Sequence, residues 1–441
     1  MVISALPTLE AKVMVKKYIQ EKLKKSEFMR HILILMLGTG LAQAIPILVS
    51  PIISRVYSPA EYSIFALYTS IVSIGATIVT LRYEQLIVLV KNKKEALNMT
   101  LLAFSIVIIL LSIFIIFSLI IGKTYLLSLI HAEEMAPYFY LIFIGIFLTA
   151  LAQILNYVFS CEKKYKNLAG IKIIQMGSLT TTQVCLGING FGGLGLIAGN
   201  VIGNFVANAV LLRSFFKNIF NKSNISLKKI KELTRNYKKF PLYNTVSDTI
   251  NVLASNLHIV LFLKYFGQEI VGIIAFTSLL FLAPISLISN SFSQVFYQKI
   301  STIESKEHLL KVYNGGLKYL LQIAAIVIAV SFLLPNNLIP FVFGEKWAGT
   351  SAYLLPLAVW FGFQFVGSSL SMIYVRLHKL GFLLTLNIIN ALSTYFIIYG
   401  GNIFSWAIYK TVLVFCLVKA MLYGCTAVLG IYVIKSSNGK L

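Results

Sequence analysis

Asn244, Asp248, Asn251, Ser255 and His258 follow one another at steps of four, three, four and three within an otherwise apolar stretch, Pro241 to Gly267. That spacing lines one face of a helix. The stretch is long enough to cross a bilayer, which takes about 20 helical residues. Asp248 is the one aspartate of the chain. An ionisable group inside a span is expensive, and ordinarily faces a bundle interior or a watery cavity. Two readings follow. In one, the stripe lines a path for polar cargo, and Asp248 loads and releases H+ or Na+ as access changes. In the other, the stripe packs on a neighbouring helix through side-chain hydrogen bonds, with Asp248 paired to a lysine.

The rest of the chain must position that face. Of 441 residues, 58% are hydrophobic and 12% charged, about half the charged share of a soluble domain. The composition is that of an all-α polytopic membrane protein. Apolar runs predict about twelve transmembrane helices, near 31–53, 61–83, 99–121, 137–160, 168–188, 192–212, 241–263, 270–296, 317–335, 352–375, 381–399 and 405–433. Pro46, Pro51, Pro284 and Pro356 interrupt three of them. Such breaks are tolerated where neighbours or water satisfy the freed backbone groups.

Charge sets the orientation. With the N-terminus inside, 30 of the 38 Lys and Arg fall in inside segments, four in outside loops and four within spans. That is a strong positive-inside bias. It places both termini in the cytoplasm and explains most of the net charge of +23, so nucleic acid is not an expected partner. Residues 1–30 form a basic cytoplasmic segment, either a surface-lying helix or a loose tail. Residues 31–212 form an N-lobe of spans 1–6, and 213–240 a basic cytoplasmic linker. Residues 241–434 form a C-lobe of spans 7–12, and 435–441 a cytoplasmic tail. No cleavable signal peptide is expected. Cys161, Cys185, Cys416 and Cys425 lack metal spacing and read as apolar fillers; no metal or cofactor is expected.

The two halves echo one another. Arg55-Val-Tyr-Ser-Pro-Ala-Glu61 after span 1 corresponds to Lys264-Tyr-Phe-Gly-Gln-Glu269 after span 7. Span 1 also carries a stripe of Thr39, Gln43, Pro46, Ser50 and Ser54. Repeats with a site near their interface are a common transporter plan.

Five stretches, taken in order, resemble a known family. ISRVYSPAEYSIFAL (Ile53–Leu67), LRYEQLIVL (Leu81–Leu89), GFGGLGLIAGNVIGN (Gly190–Asn204), YKKFPLYN (Tyr237–Asn244) and FVFGEKW (Phe341–Trp347) are similar to segments of bacterial polysaccharide-repeat flippases. These are the Wzx-type O-antigen transporters of the multidrug/oligosaccharidyl-lipid/polysaccharide exporter superfamily. The resemblance covers nearly the whole chain. Near the first-loop glutamate the family often has glycine where this chain has Ser63.

The resemblance implies two six-helix lobes around a central cavity in the bacterial inner membrane. It implies alternating access that carries an undecaprenyl-diphosphate-linked oligosaccharide from the cytoplasmic to the periplasmic leaflet. Membrane lipids, H+ or Na+, and polysaccharide assembly proteins are the implied partners. A diphosphate needs cations, and Lys supplies them as point charges. Lys419, in the middle of span 12, is the first candidate. Lys172 and Lys318 lie a turn or so inside the cytoplasmic ends, where snorkelling competes with a cavity role. Lys410 is nine residues from Lys419 and belongs to another side of the helix. Gln43, Asn156, Asn204, Asn251, Asn290 and Gln294 suit sugar hydroxyls. Arg82 with Glu84 inside, and Arg55 with Glu61 outside, are gate candidates or interfacial ion pairs; Lys264 and Glu269 are placed like the outer pair.

No nucleophile elbow, P-loop, HExxH or paired-carboxylate site occurs on a loop, so an enzyme is not expected. An O-antigen polymerase is the first alternative, but a large outside loop would be expected of it. A multidrug/cation antiporter is the second, but a cavity for cations favours acids over lysines.

Overall fold

The computed structural model describes residues 38–90, 92–220, 225–238, 240–335, 337–377 and 379–436. The basic segment 1–30 lies outside the described residues, as do the side chains of Asn244, Asn290 and Gln294.

Among the described residues there is no strand, and twelve long helices follow the apolar runs. They are α1 (Gly38–Val56), α2 (Pro59–Thr80), α3 (Lys93–Ile121), α4 (Phe139–Cys161), α5 (Tyr165–Ile188) and α6 (Gly193–Asn218), then α7 (Phe240–Phe266), α8 (Gln268–Ser301), α9 (Lys306–Leu333), α10 (Thr350–Leu370, continued by Met372–Arg376), α11 (Leu380–Ile403) and α12 (Ile408–Ser436). Eleven are long and apolar enough to cross a membrane. α5 is as long but more polar, since it carries Lys172, Gln175, three successive threonines and Gln183. α9 begins eleven residues before its apolar run, so Lys311 and Lys318 share one continuous helix.

The prolines do not break their helices. Pro51 cannot donate to Ile47, and the Ser50 hydroxyl takes that carbonyl instead, at 2.6 Å. This is the local repair that makes proline tolerable in a span. α2 starts with a capping box: Glu61 N–H points to Ser58 Oγ at 3.3 Å, and Ser58 N–H donates to Glu61 at 2.7 Å. Ser63 is buried and donates to Ala60 O at 2.7 Å. The hydroxyl is thus spent on its own helix. α2 ends at Leu81 and Arg82, both left-handed, with φ of 46° and 57°. A 3-10 segment, Tyr83–Val88, follows.

The twelve helices form two six-helix lobes. In the first, α2 lies on α3, α4 and α6, and α5 lies on α6. In the second, α7 lies on α11, while α10 is central and touches α8, α9 and α12. Between them the linker holds a short helix, Leu227–Asn236. It docks on the first lobe: Ser226 N–H donates to Asn98 Oδ1 at 2.9 Å, and Lys229 meets Glu95 at 3.2 Å. The end that carries this linker is called the basic end below. α2 belongs to the first lobe, yet it lies against both α7 and α8 of the second.

Candidate functional site at the seam between the lobes

Two groups of residues join the lobes, one at each end of α2. At the basic end, Arg82 Nε stands 2.7 Å from Asp248 Oδ2 on α7. Its N–H does not point at that oxygen, so charge, not a linear hydrogen bond, holds the contact. Gln85 supplies the hydrogen bond, from Nε2 to Asp248 Oδ2 at 3.2 Å. Arg82 also reaches Glu84, with Nη1 to Oε1 at 3.4 Å. The Glu84 side chain is 0% exposed. Its Oε2 has no hydrogen-bond partner among the described residues. Burial raises this carboxyl above the usual carboxylate range, against the opposing pull of Arg82. The backbone explains the fan of contacts: two left-handed residues followed by a 3-10 turn aim Arg82, Glu84 and Gln85 from one short segment.

At the opposite end an aromatic cluster spans both lobes. Tyr57, Tyr62, Phe276 and Trp347 are all buried. Trp347 lies 4.3 Å from Phe276 between ring centroids and edge-on to Tyr62 at 5.9 Å. The Trp347 indole donates to Ser54 O at 2.7 Å, and Arg55 donates to Phe341 O at 3.2 Å. Gly272 marks the closest crossing, since a Cβ there would collide with the backbone of Pro59. Gly192, at φ +53°, leaves room for Glu61. The quoted sequence stretches therefore meet: Ile53–Leu67 packs on Phe341–Trp347, and Leu81–Leu89 meets the polar face of α7.

The face of α7 is divided in space. Asp248 faces Arg82. Asn251 and Ser255 are exposed, and Ser255 donates to Asn251 O in its own helix. His258 is buried, stacked on Phe415 at 5.7 Å and edge-on to Trp360 at 5.3 Å. Gln43 accepts from Ser286 on α8 at 2.7 Å, a third link between the lobes. Arg55 and Glu61 do not pair with one another among the described residues. Glu61 serves the capping box, and Arg55 the Phe341 carbonyl.

Two of the lysines, Lys172 and Lys419, are held inside the lobes. Lys172 donates to Gln175 at 2.9 Å; Gln175 donates to Asn204 at 2.8 Å, and Asn204 to Asn200. The chain of amides joins α5 to α6. Lys419 is 3% exposed. It donates to the side-chain oxygen of Asn390 on α11 and lies 5.2 Å from the Phe415 ring centre. Lys318 is exposed on α9. Lys410 lies over Trp406 at 4.6 Å.

Sequence reasoning alone passes over Gln85, Trp347, Gln175 and Asn390 as partners. Trp347 carries the clearest signal, as one of three tryptophans and within a quoted motif.

Comparison with known proteins gives the following. Residues 52–352 match the family described as "Polysaccharide biosynthesis protein". No curated protein matches the chain. Among solved structures, an inward-facing multidrug resistance MATE family transporter of the MOP superfamily superposes with a TM-score of 0.65 at 15% identity, covering 92% of this chain and 99% of that one. An outward-facing structure of such a transporter gives 0.55 at 14%, covering 92% and 97%. A MOP superfamily transporter from Pyrococcus furiosus gives 0.56 at 15%, covering 92% and 97%. At such identities the likeness establishes the fold.

Proposed function

Because the chain belongs to the polysaccharide biosynthesis protein family, we propose that it is a flippase working by alternating access on that multi-pass fold. The cargo in this reading is an undecaprenyl-diphosphate-linked repeat unit of O-antigen or a similar surface polysaccharide. It moves from the cytoplasmic to the periplasmic leaflet of a bacterial inner membrane, with the basic end inside. The orientation rests on the 30-to-4 distribution of basic residues.

One observation carries the mechanism. The single helix α2 touches the second lobe through separable contacts at its two ends, Arg82–Asp248 and the Trp347 cluster. Rocking one lobe on the other breaks one contact and keeps the other. Discrete, packed alternatives of this kind turn small shifts into a switch. Arg82 with Asp248 is then the inner gate, and Asp248 the ion-coupling carboxylate, with Arg82 as its counter-charge when shut. Asn251, Ser255 and Gln43 supply hydrogen bonds along the path. Lys419, Lys172 and Lys318 supply positive potential toward the diphosphate, the first two from within the lobe walls.

The test is transport of defined lipid-linked oligosaccharides in proteoliposomes. Translocation that needs both protein and an imposed H+ or Na+ gradient is expected. Efflux of organic cations in place of glycan movement would transfer the reading to the multidrug antiporters that share the fold.

A further inference from the structure

A cleft of about 480 Å³ opens between the basic-end halves of α8 and α9. Its α8 wall is Phe292, Val295, Phe296 and Lys299, spaced so that they share one helix face. Its α9 wall runs from His308 and Lys311 to Gly315, Gly316 and Tyr319. Arg376 fixes the far side of α8 by donating to Ile300 O at 3.0 Å and Ile303 O at 2.9 Å. α8 is thus pinned to α10, and α9 diverges from it. α9 is peripheral: Ile326, Val330, Phe332 and Leu333 are all exposed on it. Ile326, Val330 and Leu333 continue the helix face that carries Tyr319, so the cleft runs onto an exposed apolar flank of the second lobe.

Its lining has two chemistries. Phe296, Phe292 and Tyr319 form a ladder of near-parallel rings, with centroids 5.5 Å and 6.3 Å apart and interplanar angles of 17° and 18°. The two glycines make the room. A Cβ at Gly316 would lie 2.9 Å from Phe292 Cζ, while Gly315 has nothing within 4 Å. From Lys311 to Tyr319 the trough is about 12 Å long at helical rise. At its mouth stand Lys299, Lys311 and His308.

We infer that this cleft is a docking site for a polyprenyl diphosphate, with the diphosphate at Lys299 and Lys311 and the first isoprenoid units along the Phe296–Phe292–Tyr319 ladder. The inference rests on the flippase reading above, and adds a place where the cargo's lipid end is held outside the central path. Three features favour this occupant over an anionic phospholipid. The trough is a single groove, suited to one chain and not two. Flat, unsaturated isoprenoid units suit a stack of ring faces, as apolar area against aromatics. Paired lysines suit a diphosphate as point charges.

The experiment is photolabelling of the purified full-length protein with a benzophenone-bearing farnesyl diphosphate analogue. Label is expected within residues 292–319. It should be displaced by undecaprenyl diphosphate, and at least tenfold less readily by phosphatidylglycerol or inorganic diphosphate. Gly315→Phe should cut labelling at least tenfold by filling the trough, while Gly315→Ala retains it. Lys299→Gln with Lys311→Gln should cut it as far, and Lys228→Gln on the linker should not. Equal displacement by phosphatidylglycerol or inorganic diphosphate, or unchanged labelling of Gly315→Phe, overturns the site. Transport of lipid-linked oligosaccharide by the wild-type protein is measured in parallel. Labelling without transport counts against the flippase reading and leaves the cleft; transport without labelling counts against the cleft alone.

Discussion

The Trp347 indole N–H meets the carbonyl oxygen of Ser54 at 2.7 Å, so a loop of the second lobe is hydrogen-bonded to the end of α1 in the first. Trp347→Phe keeps most of the ring but removes the donor. A buried carbonyl left without its partner costs about 1–3 kcal/mol, roughly five- to 150-fold in an equilibrium. On the alternating-access reading proposed above, that cost falls on the closed seam, because an open form would expose Ser54 O to water. Spin labels at Ile188 and Phe404, both exposed near this end, should report more of the longer distance in Trp347→Phe. An unchanged distance distribution would show that the indole bond does not bias the seam.

Arg82 and Asp248 are partly exposed, at 18% and 33% of their side chains. A pair so wetted contributes little to stability, about 0–1 kcal/mol. For the gate proposed above, that weakness is what lets the pair break. Asp248→Asn should insert and fold as wild type, yet lose gradient-driven transport by at least tenfold. Reversal of the pair, Arg82→Asp with Asp248→Arg, should restore the contact without restoring transport. Full transport by Asp248→Asn rules out the coupling role.

The sequence was legible where one dimension suffices. Apolar length located twelve helices. The α7 stripe was visible as helical spacing, but spacing on one helix says nothing of what stands opposite. Asp248 meets Arg82, from a segment 166 residues earlier, while His258, ten residues on, is walled in by Phe415 and Trp360. Lys419 reads as a cavity cation for the diphosphate, and spacing on α12 does not reveal its acceptor, Asn390, 29 residues away on another helix. Glu61 read as a gate acid, although the Ser58-Pro-Ala-Glu61 spacing is that of a capping box. That use was open to sequence reasoning.

Lys419 relies on Asn390 for its acceptors, through the side-chain oxygen and, at 3.5 Å, the backbone carbonyl. Asn390→Leu strips the stronger one and leaves a buried ammonium poorly satisfied, at a cost of about 3 kcal/mol. The thermal midpoint should fall by several degrees. Lys419→Met removes the charge, fills similar space and costs only the neutral Asn390 amide a donor, so its midpoint should fall less than that of Asn390→Leu. If the Lys419 charge also draws the diphosphate, Lys419→Met loses transport out of proportion to that smaller fall. Comparison of midpoint and transport in the two variants separates packing from electrostatics.

Glu84 provides the pH test. Its carboxyl is raised from the ordinary value of 4.5 chiefly by burial. A group whose folded value is raised binds its proton more tightly when folded. Its contribution to stability is therefore complete below about 4.5, the unfolded value, and is lost as pH rises through the higher folded value. Glu84→Gln mimics the protonated form at every pH and keeps an oxygen for Arg82. Relative to wild type, its thermal midpoint should be unchanged at pH 4 and higher at pH 8. The same substitution should remove the part of the transport–pH profile that belongs to this carboxyl, if Arg82 releases Asp248 when Glu84 ionises and competes for it. Identical midpoint–pH curves for the two proteins would show that Glu84 does not change its proton on unfolding.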